Sequence, residues 1–143
     1  MTERRPNRIL GPLHDPFWHH CDREQLALQR CMSCEHRPWP PVATCEQCGS
    51  DSLRWEPVSG QGKLLSWCRF DHDYYLGAMP MPYWNIVVEL DEGPIFISNP
   101  SQLDQSDFVA GLPLRVSFQQ CEDEHGPFRL PVFGPLTPVT PQS

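Results

Sequence analysis

Apolar and polar residues alternate along several short stretches of this chain, and a period of two residues is typical of half-buried β-strands. The first part of the chain alternates over 26–30 and 53–58, and a Pro-rich stretch at 38–41 is expected to be extended. Longer strands are predicted at 63–70, 84–90, 95–98, 114–120 and 128–133, with β-branched residues enriched in 84–90 and clear alternation in 114–120. The pattern predicts a mainly β protein, with three short strands followed by five longer ones.

One short helix is predicted ahead of the first strand, from Asp15 to Cys21. Asp15 can serve as the N-cap, and Pro16 at the first helical position loses no hydrogen bond there. Phe17 and Trp18 supply an apolar patch that needs a partner surface. We therefore expect this helix to pack against the strands.

The five longer strands follow the order of an OB-fold, a small barrel of five antiparallel strands. A turn at 91–93 makes the second and third strands a hairpin, and a polar turn at 122–126 joins the fourth to the fifth. A short helical or 3₁₀ segment is expected at 106–110. The chain's 17 prolines agree with a strand-rich fold, because proline interrupts helices.

Four cysteines form two Cys-x-x-Cys pairs, Cys31/Cys34 and Cys45/Cys48, separated by ten residues. Each pair can aim two sulfurs at one point, and two facing pairs supply the four tetrahedral ligands of a structural Zn²⁺. Gly49 can adopt the left-handed conformation that a zinc knuckle needs after its second cysteine. We predict a rubredoxin-like zinc ribbon with a closed Cys₄ site, which has no open position for chemistry.

Two alternatives for the four cysteines remain open at this point. They could form two disulfides, although cysteines in metal-binding spacing suit a reducing compartment better. An S₄ site could also hold iron, because the ligand type alone does not separate iron from zinc.

The pattern divides the chain into four parts. Residues 1–14 form an Arg- and Pro-containing arm, and 15–58 contain the helix and the zinc ribbon. Residues 59–134 form the OB-fold, and 135–143 are a Pro-rich tail that we expect to be flexible.

Composition narrows the class of partner. The net charge is −7 and Lys63 is the only lysine, so a nucleic-acid phosphate backbone is repelled overall. A nucleic-acid-binding ribbon and OB-fold therefore remains only a minor alternative. There is no apolar run of membrane-spanning length and no signal-peptide pattern, so we expect a cytoplasmic protein.

Several short motifs follow one another along the chain in a characteristic order and spacing. They are Phe17-Trp18, Leu28-Gln29-Arg30-Cys31, Pro40-Pro41, Cys48-Gly49-Ser50, Gly60-x-Gly62-Lys63-Leu64, Pro82-Tyr83, residues 88–93 and Gly111-x-Pro113-Leu114-x-Val116-x-Phe118. In this arrangement the chain resembles the zinc-ribbon/OB-fold proteins associated with acyl-CoA enzymes, long catalogued as a domain of unknown function. It departs from them in carrying His19-His20-Cys21 after the Phe-Trp pair and in its N-terminal arm.

The resemblance implies a non-catalytic accessory subunit. Relatives dock on thiolase-superfamily enzymes, including thiolases and thiolase-like aldolases that shorten steroid side chains, and some pair with hydratase-type enzymes. It implies a heteromer, expected to be 2:2, that works in lipid metabolism with acyl-CoA as the ligand of the whole complex. We expect a thiolase-like aldolase or thiolase as partner, because the hydratase-associated versions are often fused to further domains. No catalytic residue is assigned to this chain.

The loop from Asp71 to Pro82 is the predicted contact surface outside the ribbon. It joins the first two barrel strands, where OB-folds commonly bind ligands. We assign partner or acyl-CoA contacts to Tyr74, Tyr75, Met79, Met81 and Tyr83. The alternative is a loop that folds over its own barrel.

Four other residues carry potentially reactive groups. Cys21, Cys68 and Cys121 are expected to be unreactive, Cys68 within the barrel wall or core, although histidines beside Cys21 could make it reactive or metal-binding. His72 stands between two aspartates that could tune it for acid–base work, but a solvated loop is the simpler interpretation.

Overall fold

The computed structural model describes residues 3–71 and 83–136. Its elements are β1 (Glu3–Arg4), α1 (Asp15–Asp22), β2 (Ala27–Cys31), β3 (Leu53–Pro57), β4 (Gln61–Phe70), β5 (Tyr83–Leu90), β6 (Ile95–Ser98), a 3₁₀ turn (Gln105–Asp107), β7 (Pro113–Asp123) and β8 (Gly126–Pro135). The described residues contain no helix long and apolar enough to cross a membrane.

Strands β4 to β8 form the predicted OB-fold barrel. β4 pairs antiparallel with β5 and β7, β5 pairs with β6, and β7 pairs with β8. The ring closes between β6 and β8 only at one end, through a parallel bridge between Pro100 and Phe133. The barrel is therefore nearly closed, with a seam between β6 and β8.

The barrel core follows from the alternation in the sequence. Leu64, Ile86, Val88, Leu114 and Phe133 point inward and are fully buried. At its start the barrel bends sharply at Gly60, where φ is +75° and an added Cβ would lie 2.4 Å from a Val116 methyl group. A side chain at position 60 would therefore push β4 and β7 apart.

Helix α1 differs from the prediction at its N-terminus. His14 is the N-cap residue and its side chain makes no capping hydrogen bond, so the assignment of Asp15 as N-cap was wrong. Asp15 lies in the first turn, where its carboxylate accepts a hydrogen bond from the Gly11 N–H at 2.9 Å. The preceding turn at Gly11 thus starts the helix one residue earlier than the sequence indicates.

The ribbon also differs from the prediction in its strand count. Only β2 and β3 pair, from Ala27 opposite Pro57 to Cys31 opposite Leu53. The stretch 38–41 is not a third strand. Its prolines have no N–H to donate to a strand ladder. The Trp39 side chain instead packs against the buried hydrophobic core.

The arm lies along the barrel of the same chain. β1 pairs in parallel with β7 at Cys121 and Glu122. Further along, the Arg8 side chain donates to Asp123 at 2.8 Å, and its guanidinium lies 4.3 Å from the centre of the Phe128 ring. The arm therefore ties the beginning of the chain to the β7–β8 hairpin.

Helix α1 caps the end of the barrel next to the ribbon. Phe17 lies with ring centres 5.0 Å from Trp18, 4.9 Å from Trp39 and 6.2 Å from Phe96. These residues come from the helix, the ribbon and β6, so one aromatic cluster joins all three.

A candidate four-cysteine metal centre

The four predicted ligands come together at the end of the ribbon. The sulfur atoms of Cys31, Cys34, Cys45 and Cys48 all lie within 4.8 Å of one another. The Cys31–Cys48 and Cys34–Cys45 sulfur pairs are 3.5 and 3.6 Å apart. A tetrahedron of sulfurs about 2.3 Å from a central Zn²⁺ has edges of about 3.8 Å, so the site fits the ion.

The same distances contradict the disulfide alternative, since a disulfide bond requires sulfurs about 2.05 Å apart. All seven cysteines are free thiols. The sulfur geometry alone would suit iron as well as zinc.

The first knuckle is held by the backbone around Cys31. The Cys31 N–H donates to the His36 carbonyl at 2.8 Å, and the Glu35 N–H donates to the Cys31 carbonyl at 2.9 Å. Backbone N–H groups of Cys34 and Ser33 point at the Cys31 sulfur and, against the effect of burial, lower its pKa to about 6. The turn thus favours the thiolate that a metal needs.

The second knuckle repeats this arrangement. The Cys45 N–H donates to the Ser50 carbonyl at 2.7 Å, and the Gly49 N–H donates to the Cys45 carbonyl at 2.8 Å. The Ser50 N–H has the largest single effect on the pKa of Cys48 and lowers it, but the Cys31 and Cys45 thiols and burial together raise it, and the net change is upward. Crowded thiols cannot all ionise without a cation between them, which is the condition that a divalent metal satisfies.

Each knuckle places its next residue in the left-handed region. Gly49 has φ +76°, as predicted, and Glu35 has φ +68° at the equivalent position of the first pair. The sequence reasoning missed Glu35. The repeated Cys-x-x-Cys-x pattern is the signal that could have found it.

The structure tests the predicted contact residues only in part. Tyr74, Tyr75, Met79 and Met81, and also His72, lie outside the described residues. Tyr83 begins β5, half-buried, and its ring stacks on Phe70 at 4.8 Å with an angle of 11°. Tyr83 thus stands where the predicted contact loop meets the barrel.

The remaining cysteines are separate from the metal centre. Cys21 and Cys121 are buried, and burial, with a smaller effect of Asp22, raises the pKa of the Cys21 thiol. Cys68 is exposed on β4, so a core position was wrong for it. After a bulge at Leu65, β4 resumes pairing at Ser66, and Cys68 lies opposite Asn85 on the barrel wall.

Family models match both halves of the chain. One described as the "ChsH2, rubredoxin-like zinc ribbon domain" matches residues 18–54. A second, described as the "ChsH2, C-terminal OB-fold domain", matches residues 55–119. The match assigns the four cysteines to a zinc ribbon.

Two curated proteins are similar in sequence. A probable enoyl-CoA hydratase alpha subunit from Thermomonospora curvata is 30% identical over 146 residues, covering 96% of this chain and 44% of that protein. The chain thus spans less than half the length of that relative. A DUF35 domain-containing scaffold protein from Pyrococcus furiosus is 24% identical over 106 residues, covering 70% of this chain and 74% of that one.

Two solved structures are similar in fold. A chain of the Ltp2-ChsH2(DUF35) aldolase matches with a TM-score of 0.80 and 25% identity, covering 92% of this chain and 100% of that chain. A DUF35-family protein of unknown function from Sulfolobus solfataricus matches with a TM-score of 0.55 and 12% identity, covering 74% and 78%. The second likeness bears on the fold alone.

Proposed function

Because this chain belongs to the ChsH2 family of zinc-ribbon/OB-fold proteins, also described as DUF35, we propose that it is an accessory subunit of an acyl-CoA enzyme. It docks on a thiolase-superfamily partner, a thiolase-like aldolase or a thiolase, and helps to form that partner's acyl-CoA site. The nucleophile or base of the reaction belongs to the partner. The steroid side-chain aldolases are the model for the reaction.

One observation carries this proposal. The likeness to the chain in the Ltp2-ChsH2(DUF35) aldolase extends over 92% of this chain and the whole of that one, at a TM-score of 0.80. The likeness therefore includes the ribbon, the helix and the barrel together. A similar arrangement of all three supports a similar mode of assembly.

The metal centre has a structural role in this proposal. Cys31, Cys34, Cys45 and Cys48 hold the zinc, and when bound it supplies folding free energy to the ribbon. Four protein ligands leave no coordination position for a substrate. The ribbon thus serves to present the helix and the 38–41 segment at one end of the barrel.

The reaction proposed for the complex is carbon–carbon cleavage of a 3-hydroxyacyl-CoA, or acyl transfer. In the cleavage, the partner's base removes the 3-hydroxyl proton, and the C2–C3 bond breaks to give a carbonyl compound and the enolate of a shortened acyl-CoA. An acid of the partner or water then protonates that enolate at C2. This chain contributes a wall of the acyl-CoA channel. The first barrel loop, 71–82, is the proposed point of contact.

A second candidate partner is a hydratase. The Thermomonospora relative carries the name of an enoyl-CoA hydratase alpha subunit and is 30% identical to this chain. In that case the complex would add water across the double bond of an enoyl-CoA. The accessory role of this chain would be the same.

Co-expression with the thiolase-superfamily and hydratase-type proteins of the same genome tests the proposal. We expect a stable heteromer with a thiolase-like protein, and cleavage of 3-hydroxyacyl-CoA by the heteromer but not by this chain alone. A heteromer that instead hydrates enoyl-CoA would select the second candidate. Turnover by this chain with every such partner removed would refute the accessory role.

The contact loop gives a mutational test. Replacing Tyr74 and Tyr75 with alanine should weaken partner binding at least about tenfold, because aromatic side chains dominate protein interfaces. Zinc content and thermal stability should not change. Calorimetric titration measures the affinity, and an unchanged Kd would remove this loop from the interface.

A further inference from the structure

At the seam between β6 and β8, backbone groups on the outer edge of β6 have no partner strand among the described residues. In an antiparallel pair, hydrogen-bonded and non-hydrogen-bonded residue pairs alternate. The Leu90 N–H donates to the Pro94 carbonyl at 3.0 Å, so Phe96 also forms a hydrogen-bonded pair with β5. Ile95 and Ile97 occupy the non-bonded positions. Their N–H and C=O groups therefore point away from β5, towards the outer edge of β6.

The β6–β8 backbone hydrogen bonds that close the barrel end before they reach Ile97 and Ile95. The Phe133 N–H donates to the Asn99 carbonyl at 3.1 Å, and the Ser101 N–H donates to the Phe133 carbonyl at 2.8 Å. The next residue of β8 in register is Pro131, which has no N–H to donate. The Ser98 hydroxyl donates to the Pro131 carbonyl at 2.9 Å, so β8 still lies beside β6 at Ser98. Within residues 3–71 and 83–136, no backbone hydrogen bond joins Ile97 to β8.

A cavity of about 300 Å³ lies beside this edge. Apolar side chains form most of its walls, among them Phe17, Trp18, Trp39 and Leu130. It lies at the lower end of the 300–1,000 Å³ range that is usual for ligand pockets. That volume suits one or two apolar side chains better than a whole CoA thioester.

Apolar surface continues from the cavity onto the outer face of β6. The side chains of Ile95 and Ile97 are 45% and 65% exposed. Ile97 lines the cavity, so a small ligand inside it could contact Ile97, but it would leave Ile95 uncovered. An extended peptide paired with β6 would cover both isoleucines and would also supply hydrogen-bond partners for the outward backbone groups of β6.

We propose that the outer edge of β6 accepts an extended segment of the partner subunit as an added β-strand. Its backbone pairs with Ile95 and Ile97, continuing the ladder that ends at Pro131, and an apolar side chain enters the cavity. Strand addition to an exposed sheet edge is a common mode of peptide recognition. This inference rests on the proposed function, because it assigns one contact within that complex.

Amide hydrogen exchange of single residues by NMR tests the inference in the unmodified protein. In the free chain, the Ile95 and Ile97 amides should exchange quickly, while Phe96 and Ser98 on the same strand are protected by β5. Adding the thiolase-like partner identified by co-expression should slow Ile95 and Ile97 at least about tenfold. Phe96 and Ser98 then serve as internal controls.

A matched pair of variants tests the same edge through affinity. Ile97→Pro removes the outward N–H, and proline is tolerated on an edge strand. It should weaken partner binding at least about tenfold, whereas Ile97→Val, which keeps the N–H, should change Kd by less than about threefold. Equal affinities for the two variants would contradict strand addition.

The outcomes separate this inference from the proposed function. If no thiolase-like or hydratase-type protein binds, the proposed function fails and the inference fails with it. If the complex forms while the Ile97 amide still exchanges quickly, only the inference fails. Slow exchange of Ile97 in the free chain, or protection by acyl-CoA without partner, would also overturn it.

Discussion

Arg8 and Asp123 form a buried ion pair that ties the arm to β7. Their side chains are 10% and 0% exposed, and both the Arg8 backbone and its guanidinium donate to the carboxylate. Burial by itself would raise the pKa of Asp123, but the hydrogen bonds from Arg8 and from the His125 backbone outweigh burial and lower it to about 2. Removing one partner leaves an uncompensated buried charge, which is more costly than losing a surface pair.

Asp123→Asn should therefore destabilise the protein by about 3 kcal/mol at neutral pH. A carboxyl group whose pKa is lowered by folding stabilises the fold above its ordinary pKa of 3.8 and loses that effect as the pH falls through the folded value of about 2. The stability gap between wild type and variant should thus narrow between pH 4 and pH 2. Urea unfolding at several pH values measures the gap.

Glu122→Gln is the matched control for this experiment. Glu122 is the neighbouring carboxylate, its side chain is 47% exposed, and its pair with Arg4 is loose at 3.8 Å. An exposed pair of this kind contributes at most about 1 kcal/mol. Equal losses from the two variants would mean that the arm is not held by the Arg8 pair.

Gly49 and Glu35, which have left-handed backbone conformations in the two knuckles, allow two substitutions with opposite expected effects on stability. An added Cβ at Gly49 would meet nothing within 4 Å, so Gly49→Ala changes only the backbone energy. It should destabilise the zinc-bound chain by about 1–2 kcal/mol. Glu35→Gly relieves the same strain but loses an ion pair with Arg30, so we expect a smaller effect of opposite sign or none. Thermal unfolding with zinc present measures both, and a stabilised Gly49→Ala would contradict the argument.

The ribbon, as an element, depends on its metal more than on its strands. β2 and β3 form a pair of only five residues each, and a two-stranded hairpin is at best marginally stable in water. A zinc ion held by the two knuckles would supply the free energy that this two-stranded sheet lacks. We therefore expect the ribbon to fold together with its metal.

Cys45→Ser should abolish stoichiometric zinc binding and unfold the ribbon. Cys68→Ser is the matched control, because Cys68 is exposed and is not one of the four clustered cysteines. Zinc content by mass spectrometry should fall from one ion per chain to well below one in the first variant alone. Far-ultraviolet circular dichroism follows the fold, and a folded, zinc-free Cys45→Ser would contradict the structural role of the metal.

At the scale of the whole molecule, one aromatic cluster couples the ribbon to the barrel. Phe17 is 4% exposed and contacts Trp39 from the ribbon and Phe96 from β6. β2 pairs only with β3, so no sheet continues from the ribbon into the barrel. Side-chain packing, together with the hydrogen bonds that Arg129 of β8 donates to Asp22 at the end of α1, therefore carries this coupling.

Phe17→Ala should cost about 3–5 kcal/mol and split thermal unfolding into two transitions, one for the ribbon and one for the barrel. Zinc should stay bound, because the knuckles do not include Phe17. Differential scanning calorimetry separates the transitions. One cooperative transition at the wild-type temperature would show that Phe17 does not couple the two parts.

Local sequence patterns were enough to predict most of the strands and the helix. The predicted third barrel strand, 95–98, has the observed bounds, and the predicted strand at 63–70 begins only two residues late. Both are apolar-rich stretches that closely follow a glycine, which is a local signal in the chain. The N-cap of α1 and the third ribbon strand were wrong because each depends on neighbours, the Gly11 turn in one case and the packing of Trp39 in the other.

Cysteine spacing, alternation and motif order lie along the chain, and they were enough to predict the four-cysteine site, the barrel order and the family. The contacts between the parts of the molecule are visible only in the folded structure. Arg8 and Asp123 are 115 residues apart, and the β6–β8 ladder ends before Ile97, where the facing β8 residue is Pro131, which has no N–H. Such features arise when remote segments meet, and no local pattern records which segments will meet.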